Sequence, residues 1–194
     1  MHALTDSLQY STVVDCAEGT QIQLKRAKFK PEHISKVFIT HMHSSSSFFP
    51  SVTPCPHISH LTTVDHVMGL IPLMRTVMNK DEPTSTVSPL RHYSRPSLSN
   101  SPKRLRLQIY GPPGLRKFVR INLQLTLTEL RGRYAVHELL GPSDEPSTTC
   151  ERNVLHVNEN PGNNIRPDEE GLWRNVVSDK DWTVHAGPLQ HRGA

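Results

Sequence analysis

A short apolar run, Val37-Phe38-Ile39-Thr40, ends on His41-Met42-His43. β-Branched and aromatic residues in such a run favour an extended strand. On an extended chain residues i and i+2 project to the same side, so both imidazoles can face one ion. Neutral imidazole nitrogen is a good zinc ligand at about 2.0–2.1 Å. The completion, Asp65-His66, stands beyond a Ser-rich stretch. With residues 44–63 removed the text reads V-F-I-T-H-M-H-V-D-H-V-M-G-L. That is H-x-H-x-D-H, a metal-binding pattern that follows a strand and opens a helix. It reads as the first half of a two-metal hydrolase site.

The surrounding chain alternates strand and helix. Residues 8–16 read as a strand ending at Asp15, and Glu18-Gly19-Thr20 turns it into a short helix over 21–28. Residues 31–34 read as a helical turn and 37–40 as the next strand. From Asp65 onward, Val67, Leu70, Ile71, Met74 and Met78 fall at helical spacing. Asp65 is placed to cap that helix, and Pro72 is confined to its first turns. Residues 105–110 alternate as a strand, 115–127 read as a helix, and 134–140 and 182–186 as strands. This order predicts an α/β layered fold.

Three stretches lack a core pattern. Serine and proline dominate 44–63, and polar residues with Ser, Pro and Arg fill 79–103. Both are expected to be disordered, and 141–180 to be loop-rich. A hydrophobic content of 35% with 16 prolines agrees with substantial loop. The formal charge of +4 suits a polyanionic partner without identifying one. Cys16, Cys55 and Cys150 are odd in number and form no C-x-x-C pair, which argues against a disulfide framework and for a reducing compartment. No apolar stretch approaches the ~18 residues of a membrane helix. The first residues carry no secretory signal pattern.

His191 is a further ligand candidate, because it follows a strand and a Gly-Pro turn. His57 and His60 are three apart, but Ser and Pro around them argue against a helix. His137 and His185 lie within strands and read as packed or exposed side chains.

Five blocks resemble tRNase Z, the tRNA 3′-processing endoribonuclease of the metallo-β-lactamase superfamily. They are D-C-A-E-G-T-Q-I-Q-L (15–24), the split H-x-H-x-D-H block (37–43 and 64–70), I-Y-G-P-P-G-L (109–115), Y-A-V-H-E-L (134–139) and V-H-A-G-P-L-Q-H-R (184–192). H-x-H-x-D-H marks only the superfamily; D-C-x-E-G-T-Q and G-P-L-Q-H point to tRNase Z. The resemblance implies a metallo-β-lactamase αββα sandwich over 8–194, roughly its N-terminal half. It implies two zinc ions, with His41, His43 and His191 on the first and Asp65 and His66 on the second. Asp65 would also be the general base. It implies precursor tRNA as substrate, cut after the discriminator base to leave a 3′-hydroxyl. A homodimer is implied, and no membrane partner. An intracellular location follows, in cytoplasm or nucleus, with the mitochondrion equally open.

Ala17 departs from the family's usual Gly. No opening strand is read before residue 8. The bridging Asp, the last His ligand and the tRNA-gripping arm have no counterpart up to Ala194. The second zinc then has two protein ligands where a catalytic zinc takes three, so weak or absent activity is expected of this chain alone. Residues 44–63 read as translated intron or a gene-model error, which the mature transcript would distinguish from an evolved loop. Closing a loop of that length costs roughly 2–3 kcal/mol, against about 10–16 kcal/mol for a structural zinc. Loop entropy therefore does not forbid the site. Two other readings stand beside this one. One is a metallo-β-lactamase-fold phosphodiesterase acting on small substrates. The other is a non-catalytic RNA- or protein-binding chain, using Lys25, Arg26, Lys28 and Lys30 or Lys103, Arg104 and Arg106.

Overall fold

The computed structural model describes residues 2–5, 11–42, 66–78, 105–151, 153–179 and 182–188. His43, Asp65 and His191 lie outside them, as do His57, His60 and the stretches 44–63 and 79–103.

Alternating apolar residues build a sheet with two buried faces. β1 (His2–Thr5), β2 (Ser11–Val14), β3 (Ile34–Phe38), β4 (Leu105–Gly111), β5 (Arg133–Leu139) and β6 (Glu159–Asn160) neighbour one another in that order, and β7 (Asn164–Ile165) also pairs with β5. β1 runs antiparallel to β2 and every other pairing is parallel. Parallel strands need crossover connections. Here α1 (Thr20–Arg26) lies between β2 and β3, α2 (Leu70–Met78) between β3 and β4, and α3 (Leu115–Leu125) between β4 and β5. Val13, Val37, Leu107, Ile109, Tyr134 and Val136 form one face with the apolar sides of the three helices. On the other face Phe38, Tyr110 and Leu139 meet the hairpin of β8 (Trp173–Ser178) and β9 (Thr183–Ala186). The layering is α/β, as the alternation of elements predicts.

The boundaries differ in instructive ways. β1 exists before residue 8, where no strand is expected; four residues are too short to show a period, and pairing along β2 defines them. β3 starts at Ile34, because the 3-10 turn Pro31–His33 feeds straight into it. α2 starts at Leu70, so His66 lies in the turn before the helix. Within 141–180 the structure has β6, β7 and β8, the first two only two residues long.

Two arginines of α3 are buried. Arg116 and Glu138 are both fully buried, with Arg116 Nη1 3.3 Å from Glu138 Oε2. Arg116 also donates to the carbonyl oxygens of Val136, Thr148 and Asn163 and to Asn164 Oδ1. Glu138 Oε1 accepts from the backbone N–H of Gly114 and of Arg116, both at 3.1 Å, so the carboxylate caps the start of α3. One turn on, Arg120 makes a two-pronged pair with Glu159 at 2.9 and 2.7 Å. These contacts fasten α3, β5 and the chain from Ser147 to Asn164 together.

Candidate metal centre

Parallel pairing of β2 and β3 places two strand ends side by side, with Val14 opposite Phe38. The next residues, Asp15 and Thr40-His41, leave the sheet at the same edge. Asp15 N–H donates to Phe38 O and Ile39 N–H to Tyr110 O, both at 2.8 Å, so the pairing continues just past the strands. Asp15 has φ 57°, a left-handed conformation that Asp tolerates better than most residues.

His66 arrives from the other side. Cys16 N–H donates to His66 O at 2.8 Å, and Gly69 N–H donates to Cys16 O at 2.8 Å. This close approach requires glycine: a Cβ on residue 69 would stand 1.9 Å from the carbonyl oxygen of Ala17. The turn before α2 is thereby fastened to the D-C-A segment.

The side chains form a chain of hydrogen bonds. Asp15 Oδ2 is 2.8 Å from His66 Nδ1. Asp15 Oδ1 accepts from Thr40 N–H at 2.8 Å, and Thr40 Oγ1 lies 2.9 Å from both carboxylate oxygens. Thr40 Oγ1 is also 2.9 Å from His41 Nδ1. The rings of His41 and His66 are 3.8 Å apart between centroids.

Hydrogen counting fixes the tautomers. A carboxylate only accepts, so the single Thr40 hydroxyl proton goes to Asp15. Thr40 Oγ1 then accepts from His41, which must carry its proton on Nδ1. His66 likewise donates Nδ1–H to Asp15. In their neutral form both imidazoles then carry the lone pair on Nε2, the arrangement in which a carboxylate or hydroxyl behind the ring orients a metal ligand. The donor set suits zinc, though among the described residues no group of three or more His, Cys, Asp or Glu could hold an ion. The neighbouring thiol adds no ligand: burial pushes Cys16 up to about 12, so it stays protonated.

Of the residues singled out from sequence, the structure brings His41 and His66 together; His43, Asp65 and His191 lie outside the described residues. Asp15 and Thr40 were not singled out. A carboxylate at a strand end, before a Gly turn and in register with the H-x-H strand, was the available signal. His137 and His185 are placed elsewhere. His137 is buried under Tyr110, rings 4.5 Å apart, and its Nδ1 accepts from Asn163 N–H. His185 Nδ1 accepts from Asn175 N–H.

No protein-family model matches the chain. Among curated proteins it is 31% identical over 185 residues to human zinc phosphodiesterase ELAC protein 1, covering 92% of this chain and 41% of that protein. It is 28% identical over 141 residues to the ribonuclease Z of Microcystis aeruginosa, covering 71% of this chain and 31% of that protein. The chain thus spans less than half the length of the curated relatives it matches. Among solved structures it is similar to human tRNase Z, short form (ELAC1), with TM-score 0.61 and 28% identity over 98% of this chain and 52% of that one.

Proposed function

We propose that the chain is part of a protein of the tRNase Z type, a zinc-dependent endoribonuclease that removes the 3′ trailer from precursor tRNA, a reading supported by its likeness to human zinc phosphodiesterase ELAC protein 1 and human tRNase Z, short form. The observation that carries this reading is the hydrogen-bonded series His66–Asp15–Thr40–His41, which holds the two imidazole rings 3.8 Å apart between centroids. A series of this kind costs ordering and desolvation, and a metal repays both. The name zinc phosphodiesterase on the human relative supports zinc.

In this reading His41, His43 and His191 would hold one ion, and Asp65 and His66 a second; zinc there would supply Lewis-acid chemistry and acidify water toward neutral pH. The chain's own residues do the rest. Asp15 and Thr40 lock the two imidazoles as Nδ1–H tautomers, and Gly69 lets the His66 turn sit against Cys16. Asp65 accepts the proton of the attacking water as general base.

Two measurements test this. Zinc titration of the purified chain should give saturable binding that His41→Ala and His66→Ala each weaken at least tenfold. Precursor tRNA incubated with the chain extended by a relative's remaining sequence should yield a 3′-hydroxyl after the discriminator base, and the unextended chain should cut far more slowly. Absence of zinc binding, or an extended chain that cleaves bis(p-nitrophenyl) phosphate and leaves precursor tRNA intact, would overturn the proposal.

A further inference from the structure

The first turns of α1 and α2 are fastened at the candidate centre, and the far ends of both helices share a groove of about 470 Å³. Its lining includes Lys25, Lys28 and Lys30 from the end of α1 and the turn after it, Arg75 from α2, and Phe29 and Pro31. All four cations are exposed, and none has an ion pair or side-chain hydrogen bond among the described residues. No carboxylate lines the groove.

Several other cations of the chain are paired. Lys36 pairs with Asp179 and lies over the Trp182 ring. Arg116 and Arg120 are buried against Glu138 and Glu159, and Arg174 meets Asp168 and Glu170. What sets these four apart is that they face one concavity with no carboxylate in its lining, and like charges so gathered repel unless an anion joins them.

The backbone adds a second observation. α1 ends where Ala27 N–H bonds to Gln23 O and Phe29 N–H to Leu24 O, which folds Phe29 back onto the core. That ending puts Lys28 at φ 54°. Glycine or asparagine suits a left-handed residue at a helix end; a lysine there is strained. α3 ends in the same way, with Leu127 at φ 48° and Thr128 N–H bonded to Leu123 O; in α1 this shared ending sets Lys28 in the lining of the groove.

We propose that this groove seats the phosphate backbone of an RNA. The inference deepens the tRNA-processing reading and rests on it for the choice of RNA. Lys25 and Arg75 each stand about 8 Å along their helices from the first turn, at 1.5 Å per residue. A stem whose end lies at the His41–His66 centre can therefore run along the helix-covered side and place phosphates in the groove. A concave cluster of point charges fits a polyphosphate backbone better than a flat membrane.

The test is fluorescence anisotropy of the full chain with labelled precursor tRNA in EDTA, across about 50–200 mM salt. Each phosphate contact contributes roughly −0.9 to the slope of log K against log salt on a duplex. The combined variant Lys25→Gln, Lys28→Gly, Lys30→Gln and Arg75→Gln should make the slope shallower by about 3.6. Lys28→Gly alone should make it shallower by about 1 while raising the melting temperature, a pair of effects that a purely structural Lys28 would not give. An unchanged slope in the folded combined variant overturns the groove, as does binding to phosphatidylserine vesicles with none to RNA. The family reading fails separately: if the extended chain leaves precursor tRNA uncut while the slope still depends on these four residues, the groove stands and the tRNA-processing assignment falls.

Discussion

Two polar networks flank the same sheet and are built on opposite terms. Around α3 and β5, Arg116, Glu138, Arg120 and Glu159 are all almost fully buried, and their donors and acceptors are spent on one another and on nearby carbonyls. At the β2–β3 edge, Asp15 and His66 keep 21% and 32% of their side-chain surface, and both imidazoles direct Nε2 away from the series that holds them. A closed network has nothing left to offer a ligand; its value is in fixing three segments of chain. The open one invests its hydrogen bonds in orienting two rings, and so leaves chemistry unfinished. Burial and polarity alone do not mark a functional site; what marks it is whether the hydrogen bonds close on one another or orient a ligand-bearing ring.

If that contrast is real, breaking the closed network should be the most damaging change in the molecule. Glu138→Gln leaves Arg116 as a buried charge without its counter-ion and disturbs the cap on α3. Removing one partner of a buried pair costs about 3–5 kcal/mol. Urea midpoints of wild type and Glu138→Gln should differ accordingly. The matching change at the edge, Thr40→Ala, should cost about 1–2 kcal/mol, as for two exposed hydrogen bonds. Equal losses at the two places would erase the distinction.

A pH titration sharpens the contrast from the second face of β5. His137 lies beside Glu138 in the chain but faces the hairpin, stacked between the Tyr110 ring and its buried surroundings. Burial first, and the Arg116 charge second, hold its pKa down to about 4. Unfolded, it titrates near 6.5. The folded state thus binds fewer protons between these values, and stability is full above pH 6.5 and lost as pH falls toward 4. The loss attributable to this residue is about 3 kcal/mol. Denaturation at pH 7 and pH 4 should show that His137→Gln loses less stability than wild type by about that amount. Equal losses would mean that His137 is as freely solvated as an edge histidine.

The two networks also differ in how far sequence reveals them. The alternation of strands and helices was legible because apolar periods of two and 3.6 report which side is buried. His41 at a strand end and His66 before a helix were legible because each stands in a short local pattern, H-x-H and D-H, and the structure brings these two together. Arg116 and Arg120 were not. On a helix read alone, two arginines four apart mark a solvated face, and only Glu138 and Glu159, brought in by β5 and β6, reverse that. Asp15 escaped for a related reason: its partners Thr40 and His66 are distant in the chain, and parallel pairing of β2 with β3 is what joins them. Local pattern reports elements and clustered ligands, and long-range pairing decides which charges are buried and which residue orients a ligand. The two-residue strands β6 and β7 carry no period at all and exist because β5 offers them an edge.

Asp15 supplies the smallest and most discriminating test. It touches no ion in the proposed centre and acts only by holding His66 and, through Thr40, His41. Asp15→Asn keeps the size and tolerates φ 57°, so the fold should survive with a small shift in the urea midpoint. The amide cannot accept on both sides as the carboxylate does, and one of the two imidazoles loses its partner. Loss of such an orienting group typically lowers metal affinity 10–100-fold. Competition with a chromogenic zinc chelator would read that loss directly, without reference to catalysis. An Asp15→Asn chain that binds zinc as tightly as wild type would show the edge network to be a second closed one, there for the fold alone, and would remove the physical basis for distinguishing the two.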